Sequence, residues 1–92
     1  MDGQFKARTI RESKEYQHRL ELIQPDVRRI DEQLRGIMWA LSCKPDVFPR
    51  VDNTKLRRVL TDPWPDAPGV RIYFTFDDNY VELWWIEIVQ DK

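Results

Sequence analysis

The last third of the sequence contains two strand-like segments on either side of a short polar turn. Residues 70–76 alternate with period two, and residues 81–89 are rich in β-branched and aromatic side chains. Between them, Asp78 and Asn79 are residue types that tolerate positive φ, as the centre of a type I′ turn requires. The pattern predicts a β-hairpin, and the turn fixes the register of its two strands.

That register sorts the hairpin residues into two faces, because directly opposed residues project to the same side. The predicted pairs on the apolar face are Phe76 with Val81, Phe74 with Leu83, Ile72 with Trp85 and Val70 with Glu87. The predicted pairs on the other face are Thr75 with Glu82, Tyr73 with Trp84 and Arg71 with Ile86. We expect the apolar face to lie on a core and the other face to hold a cation, a phenol and an indole side by side.

Length and composition limit the chain to one modest core. With 92 residues, 41% hydrophobic and 34% charged, residues 1–92 are expected to form one soluble domain. No apolar run approaches the ~18 residues of a membrane span, and no signal peptide is evident. Cys43 alone cannot form an internal disulfide, which fits a reducing cytoplasm. His18 and Cys43 match no metal-ligand spacing, so neither a metal nor another cofactor is expected.

Charge is distributed unevenly along the chain. The net charge is −1 and the pI about 5.8, so no global basic field attracts nucleic acid. Residues 44–58 nevertheless contain five cations and two acids, whereas residues 77–92 contain five acids and one lysine. We therefore expect a bipolar surface.

Two helices are predicted before the hairpin. Ser13 is a good N-cap residue, and Tyr16, Leu20 and Ile23 follow at helical spacing. Pro25 suits the first turn of a second helix, and the Lys44-Pro45 step ends it. The apolar positions of that helix step by three and four residues, at Val27, Ile30, Leu34, Ile37, Met38 and Leu41.

Further strand candidates complete an order of β-α-α-β-β-β. They lie at residues 5–11 and 55–60, and residues 61–69 hold three prolines and a glycine, which favours a loop. The predicted fold is a two-layer α+β domain in which an antiparallel sheet packs on an N-terminal αα-hairpin. Residues 81–89 are apolar on both sides, so we expect a central strand with residues 5–11 pairing alongside it.

This arrangement resembles the RelE/ParE superfamily of bacterial type II toxins along nearly the whole chain. Residues 70–74 are similar to the family's third strand, an apolar segment whose second residue is an arginine, here Arg71. Lys55 and Arg57 are similar to the basic pair that ribonuclease members carry on the preceding strand. The resemblance implies a bacterial, cytoplasmic toxin with a cognate antitoxin peptide as partner. It also implies a catalytic or phosphate-binding role for Arg71 and an RNA-backbone role for Lys55 and Arg57.

The resemblance leaves two functions open. Ribonuclease members carry a histidine or arginine and then a tyrosine after the last strand, whereas residues 87–92 here are EIVQDK. One function is an mRNA endoribonuclease acting on the ribosome, in which Arg71 stabilises charge on the phosphorane. The other is a non-catalytic protein-binding module of the same fold, either a gyrase-directed toxin or an inactive relative. Neither requires a membrane, and the oligomeric state stays open.

Each candidate residue also has a purely structural interpretation. Arg71 beside Tyr73 and Trp84 suits a phosphate and a stacked base, but an exposed cation–π contact explains the same residues. Lys55, Arg57 and Arg58 form a phosphate stripe or a solvated strand rim, and alternation of Leu56 with Leu60 would turn Arg58 inward. His18 is the default proton shuttle, but its helical position favours a solvated residue. Cys43 is expected to pack as a small apolar side chain.

Overall fold

The computed structural model describes residues 7–23, 30–61 and 69–89. In chain order its elements are β1 (Thr9–Glu12), α1 (Lys14–Ile23), α2 (Ile30–Cys43), a short 3₁₀ helix (Pro45–Val47), β2 (Arg57–Leu60), β3 (Gly69–Phe76) and β4 (Tyr80–Val89). The predicted α+β class is confirmed. The predicted helix boundary at Pro25 and most of the predicted loop at 61–69 lie outside the described residues, as do Phe5 and Val27. No helix within the described ranges is long and apolar enough to cross a membrane.

Both helices begin or end where local sequence signals place them. The backbone N–H of Tyr16 donates to the Ser13 hydroxyl at 3.0 Å, which is the predicted N-cap of α1. The second helix ends at Cys43, directly before the Lys44-Pro45 step, because proline disfavours a helical conformation at the residue before it. Both signals are confirmed.

The four strands form one mixed sheet in the order β1-β4-β3-β2. As predicted, β4 is central and β1 pairs alongside it. The expectation of a wholly antiparallel sheet is wrong, because β1 runs parallel to β4 while the other neighbours are antiparallel. Parallel strands need a long crossover connection, and the helices and two strands between β1 and β4 supply one.

The hairpin register is confirmed near the turn and wrong beyond it. Phe76 pairs with Val81, Thr75 with Glu82 and Phe74 with Leu83, as predicted. The register then shifts by one residue between Phe74 and Tyr73, so that two β4 residues face one residue of β3. Beyond the shift the observed pairs are Tyr73 with Trp85, Ile72 with Ile86, Arg71 with Glu87 and Val70 with Ile88.

The hairpin turn is not the predicted type I′ turn. Asp52 is the non-glycine residue with positive φ in the described chain, so Asp78 and Asn79 both lack the required conformation. Instead, the Asp77 carboxylate accepts the backbone N–H groups of Asn79 and Tyr80, each at 2.8 Å. A side-chain acceptor therefore organises the turn.

One face of the sheet packs against the two helices. The buried core draws on both layers and consists of Tyr16, Ile23, Leu34, Ile37, Leu41, Val59, Val70, Ile72, Phe74, Val81, Leu83 and Ile86. Leu20, Met38 and Phe48 are among the partly buried side chains packed against it. The predicted burial of the apolar face is confirmed for Val70, Ile72 and Phe74 of β3 and for Val81 and Leu83 of β4. It is wrong for Trp85 and Glu87, which lie on the opposite, accessible face.

Candidate functional site

The open face is the side of the sheet that points away from the helices. Its side chains alternate along each strand with the buried ones. They are Arg11 on β1, Arg58 and Leu60 on β2, Arg71, Tyr73 and Thr75 on β3, and Glu82, Trp84, Trp85 and Glu87 on β4. Cations of three strands thus share a surface with the two carboxylates of β4.

Arg71 lies on this face, as predicted, and is held in an ion pair. Its Nη1 donates to Oε2 of Glu87 at 2.8 Å, and the two side chains are 31% and 29% exposed. The neighbouring Tyr73 hydroxyl, followed by the Glu87 carboxylate, raises the pKa of the Arg71 guanidinium. The group is therefore a permanent cation that solvent and a ligand can reach.

Trp85 takes the place that the sequence assigned to Trp84. It pairs with Tyr73 across the sheet, and the guanidinium of Arg19 from α1 lies 4.4 Å from its ring centroid. Trp84 is the extra residue of the bulge; its Nε1 donates to the Thr75 hydroxyl at 2.9 Å, and its side chain is 40% exposed. The predicted pairing of Tyr73 with Trp84 is therefore wrong, although both rings lie on the open face.

Arg57 lies on the opposite side of the sheet from Arg71. It pairs with Phe74, a core residue, and its Nη1 donates to the carbonyl oxygens of Phe48 at 2.6 Å and Asp46 at 3.2 Å. Its guanidinium also lies 5.2 Å from the ring centroid of Phe76. The structure therefore separates Arg57 from the other candidate residues, and its contacts fix the segment that follows α2.

Arg58 is the cation that β2 presents on the open face. It pairs with Tyr73 and is exposed, and its side chain makes no hydrogen bond or ion pair with the described residues. Of the two orientations that the sequence left open, Arg58 takes the outward one, because Val59 is the buried residue of β2 and Leu60 is 58% exposed. Among the sequence candidates, Arg58 thus replaces Arg57 beside Arg71 and Tyr73.

Lys55 borders a shallow cleft at the turn end of the sheet. The cleft has a volume of about 230 Å³ and is lined by Arg11, Lys55, Thr75, Phe76, Asp77, Tyr80 and Glu82. The Arg11 guanidinium lies 4.0 Å from the Tyr80 ring centroid and 3.6 Å from Glu82 Oε1. Lys55 therefore lies at the turn end of the open face and not beside Arg71.

Sequence reasoning missed two members of the site, Trp85 and Glu87. Both were placed on the apolar face, because the register was counted from the turn without a bulge. The local pattern of β4 gave no signal of the bulge, since adjacent residues of a regular strand already point to opposite faces. His18, the residue considered as a proton shuttle, is exposed on α1. The described residues contain no group of His, Cys, Asp and Glu that could hold a metal ion.

No protein-family model matches this chain, and a search of curated proteins finds no significant relative. A function for this chain therefore has to be inferred from the chemistry of the open face.

Proposed function

We propose that this chain is a toxin-like protein of the RelE/ParE type that binds ribosome-bound mRNA through the open face. The observation that supports binding is the placement of two arginines next to Tyr73: Arg58 lies opposite it on β2 and Arg71 lies two residues along β3. Trp85 lies opposite Tyr73 on β4, next to Trp84. Guanidinium groups contact phosphates, and exposed rings stack on unpaired bases, which is how proteins recognise single-stranded RNA.

Two features favour the RelE/ParE type for the fold. Two helices cover one face of a four-stranded sheet, and the arginine of the β3 segment lies on the other face. These features agree with the resemblance carried by residues 70–74. The face of the sheet that the helices do not cover is a rigid surface on which a nucleic acid strand could lie.

In this proposal, RNA cleavage would follow from positioning. The bound strand places a 2′-hydroxyl in line with the adjacent phosphorus, so that the 2′-oxygen forms a bond to phosphorus and the bond to the 5′-oxygen breaks. The 2′-hydroxyl loses its proton and the leaving oxygen gains one, giving a cyclic phosphate and a 5′-hydroxyl. Arg71 stabilises the charge on the phosphorane. Arg58 and Lys55 hold the backbone, whereas Arg57 is engaged on the other side of the sheet.

Induced expression in a bacterium tests this function. The wild-type chain should arrest growth and produce mRNA fragments with 5′-hydroxyl ends, and Arg71→Ala should lose both effects. Arg35→Ala, which removes an exposed arginine from α2, is the matched control and should behave as wild type. Unchanged growth and intact mRNA with all three chains would reject a toxin that acts on mRNA.

A second function, a non-catalytic protein-binding module, is favoured by the outer edge of β4. β1 pairs with residues 80–83, and no described strand pairs with that edge from Trp84 onward. Side chains contact it there, since Ser13 Oγ donates to the Trp84 carbonyl oxygen at 3.4 Å and Arg19 Nε to that of Ile86 at 3.2 Å. In this second function, a strand from an antitoxin peptide or from gyrase adds at this edge and displaces Ser13 and Arg19 from the two carbonyl oxygens.

The two functions differ in their cellular effect. Growth arrest with intact mRNA and inhibited DNA supercoiling would support a gyrase-directed toxin. Stable co-purification with a small protein encoded by a neighbouring gene, without any growth arrest, would support an inactive relative that retains a partner.

A further inference from the structure

Glu87 is held on the open face by two different donors. Its Oε2 accepts from Arg71 Nη1 at 2.8 Å, and its Oε1 accepts from Trp85 Nε1 at 3.0 Å. Each carboxylate oxygen therefore has its own donor, which fixes the orientation of the carboxylate beside the guanidinium.

The bulge in β4 is what brings this carboxylate to the open face. A hairpin without a bulge would pair Glu87 with Val70 on the apolar face and Arg71 with Ile86. The one-residue shift instead places Glu87 directly opposite Arg71. The register irregularity thus creates an ion pair at the centre of the candidate RNA site.

A carboxylate and a phosphate compete for the same guanidinium donors, because both are anions that accept short N–H hydrogen bonds. Resting on the proposed function, we infer that Glu87 acts as an internal substitute for the RNA phosphate on Arg71 and thereby limits RNA affinity. The side chain of Arg58, which lies opposite Tyr73 on β2, makes no hydrogen bond or ion pair with the described residues. RNA therefore contacts Arg58 without competition, whereas at Arg71 it competes with Glu87 for the guanidinium.

The test is a titration of a fluorescently labelled, unstructured twelve-nucleotide RNA with wild-type protein, Glu87→Gln and Glu21→Gln over a series of salt concentrations. Glutamine keeps the shape of glutamate, removes its charge and replaces one acceptor oxygen with an NH₂ donor. Glu21 is the matched control, because it is an exposed glutamate on α1 and lies outside the open face. Both variants change the net charge equally.

We expect Glu87→Gln to bind the RNA about tenfold more tightly than wild type, as removal of one anion adjacent to a bound phosphate predicts. Its salt dependence should be steeper by roughly 0.7 in the log–log slope, which is the value for one more phosphate contact on a single strand. Glu21→Gln should change the affinity by less than about threefold.

Three outcomes would overturn the inference. RNA binding by the wild type with no gain in Glu87→Gln rejects the role of Glu87 and leaves the proposed RNA-binding function intact. An equal gain in Glu21→Gln assigns the effect to net charge. Absence of RNA binding by all three chains rejects both the role of Glu87 and the proposed function.

Circular dichroism and thermal unfolding of each variant establish that it is folded. Glu87 is partly exposed, so a neutral side chain fits its position. If Glu87→Gln is unstable, Glu87→Thr provides a second neutral variant, because threonine is well suited to a strand. It should show the same gain in affinity.

Discussion

Trp85 lies directly across the sheet from Tyr73, and Trp84 occupies the extra position of a bulge in β4. Trp85 is held on both sides, by the Arg19 guanidinium at 4.4 Å from its ring and by Glu87 at 3.0 Å from its Nε1. Trp84 has one polar contact, to the Thr75 hydroxyl. Of the two indoles, Trp84 is therefore the one better placed to stack on a ligand.

Trp84→Ala should weaken binding of single-stranded RNA by about 1–3 kcal/mol, the contribution of one stacked base. Trp84→Phe keeps an aromatic face and loses the bond to Thr75, so it should retain most of the affinity and cost less than about 1 kcal/mol of stability. Fluorescence anisotropy and thermal unfolding measure the two effects. Trp39→Ala removes an indole that is 66% exposed on α2 and should leave RNA binding unchanged. Equal affinities for the two Trp84 variants would exclude stacking on this ring.

Arg57 and Arg58 allow the two faces of the sheet to be tested separately. Arg57→Met should lower the free energy of unfolding by about 1–3 kcal/mol, because it loses two hydrogen bonds to backbone carbonyls. Arg58→Met should leave stability unchanged, weaken RNA binding by about 1 kcal/mol and reduce the salt slope by roughly 0.7. Each variant is the control for the other, since the residues are adjacent and the substitution is the same.

Denaturant unfolding measures the stability of both methionine variants, and RNA titration measures their affinity. A loss of RNA affinity in Arg57→Met at unchanged stability would contradict the assignment of faces, as would a loss of stability in Arg58→Met.

The sequence was informative where one interaction dominates and ambiguous where two patterns compete. Alternation from Val70 to Phe76 correctly separated Arg71 and Tyr73 from the buried side chains, because a strand has a period of two. The phase of β2 stayed open, since Leu56, Val59 and Leu60 allow either orientation. Packing against Ile72 selects Val59 for the core. Local pattern cannot supply that choice, because it depends on a neighbouring strand.

The bulge was beyond local pattern for the same reason. Counting from the turn correctly paired Phe74 with Leu83. Each predicted pair from Tyr73 back to Val70 was wrong by one residue of β4. The shift allows Ile86 rather than Trp85 to enter the core, where Ile86 is fully buried. A one-residue insertion of this kind is decided by the fit of side chains across two layers, so the Arg71–Glu87 pair was unpredictable from either strand alone.

Tyr16 carries a hydroxyl that is buried without a partner. Its side chain is fully buried in the core, and its hydroxyl oxygen has no hydrogen-bond partner among the residues that the structure describes. Tyr16→Phe should therefore stabilise the protein by about 1 kcal/mol, because a desolvated and unpaired polar group is removed. Chemical denaturation at neutral pH measures the change. Tyr16→Leu, which reduces the side-chain volume, should destabilise the fold, and a destabilised Phe variant would indicate that the hydroxyl has a partner.

The same residue should make the protein sensitive to alkaline pH. Burial, together with the nearby Glu12 carboxylate, raises the pKa of Tyr16 well above its ordinary value of about 10. Above pH ~10 the unfolded chain loses this proton while the folded chain keeps it, so stability falls as the pH rises. Between pH 10 and 11 the loss from this group is about 1 kcal/mol. Tyr16→Phe should lack this component, and parallel stability curves for the two proteins would contradict it.

Asp77 should have the opposite pH dependence. The backbone N–H groups of Asn79 and Tyr80, in that order, lower the pKa of its carboxyl, because they stabilise the charged form. The stabilisation is present above the ordinary value of about 3.9 and is lost as the pH falls below it through the folded-state pKa. Melting temperatures recorded from pH 7 to pH 2 should therefore decline more steeply for wild type than for Asp77→Asn. Asp78→Asn changes an exposed carboxylate that makes no hydrogen bond with the described residues, and its curve should follow the wild type. A shallower decline in Asp78→Asn than in Asp77→Asn would contradict the prediction, because it would assign the acid sensitivity of the turn to Asp78.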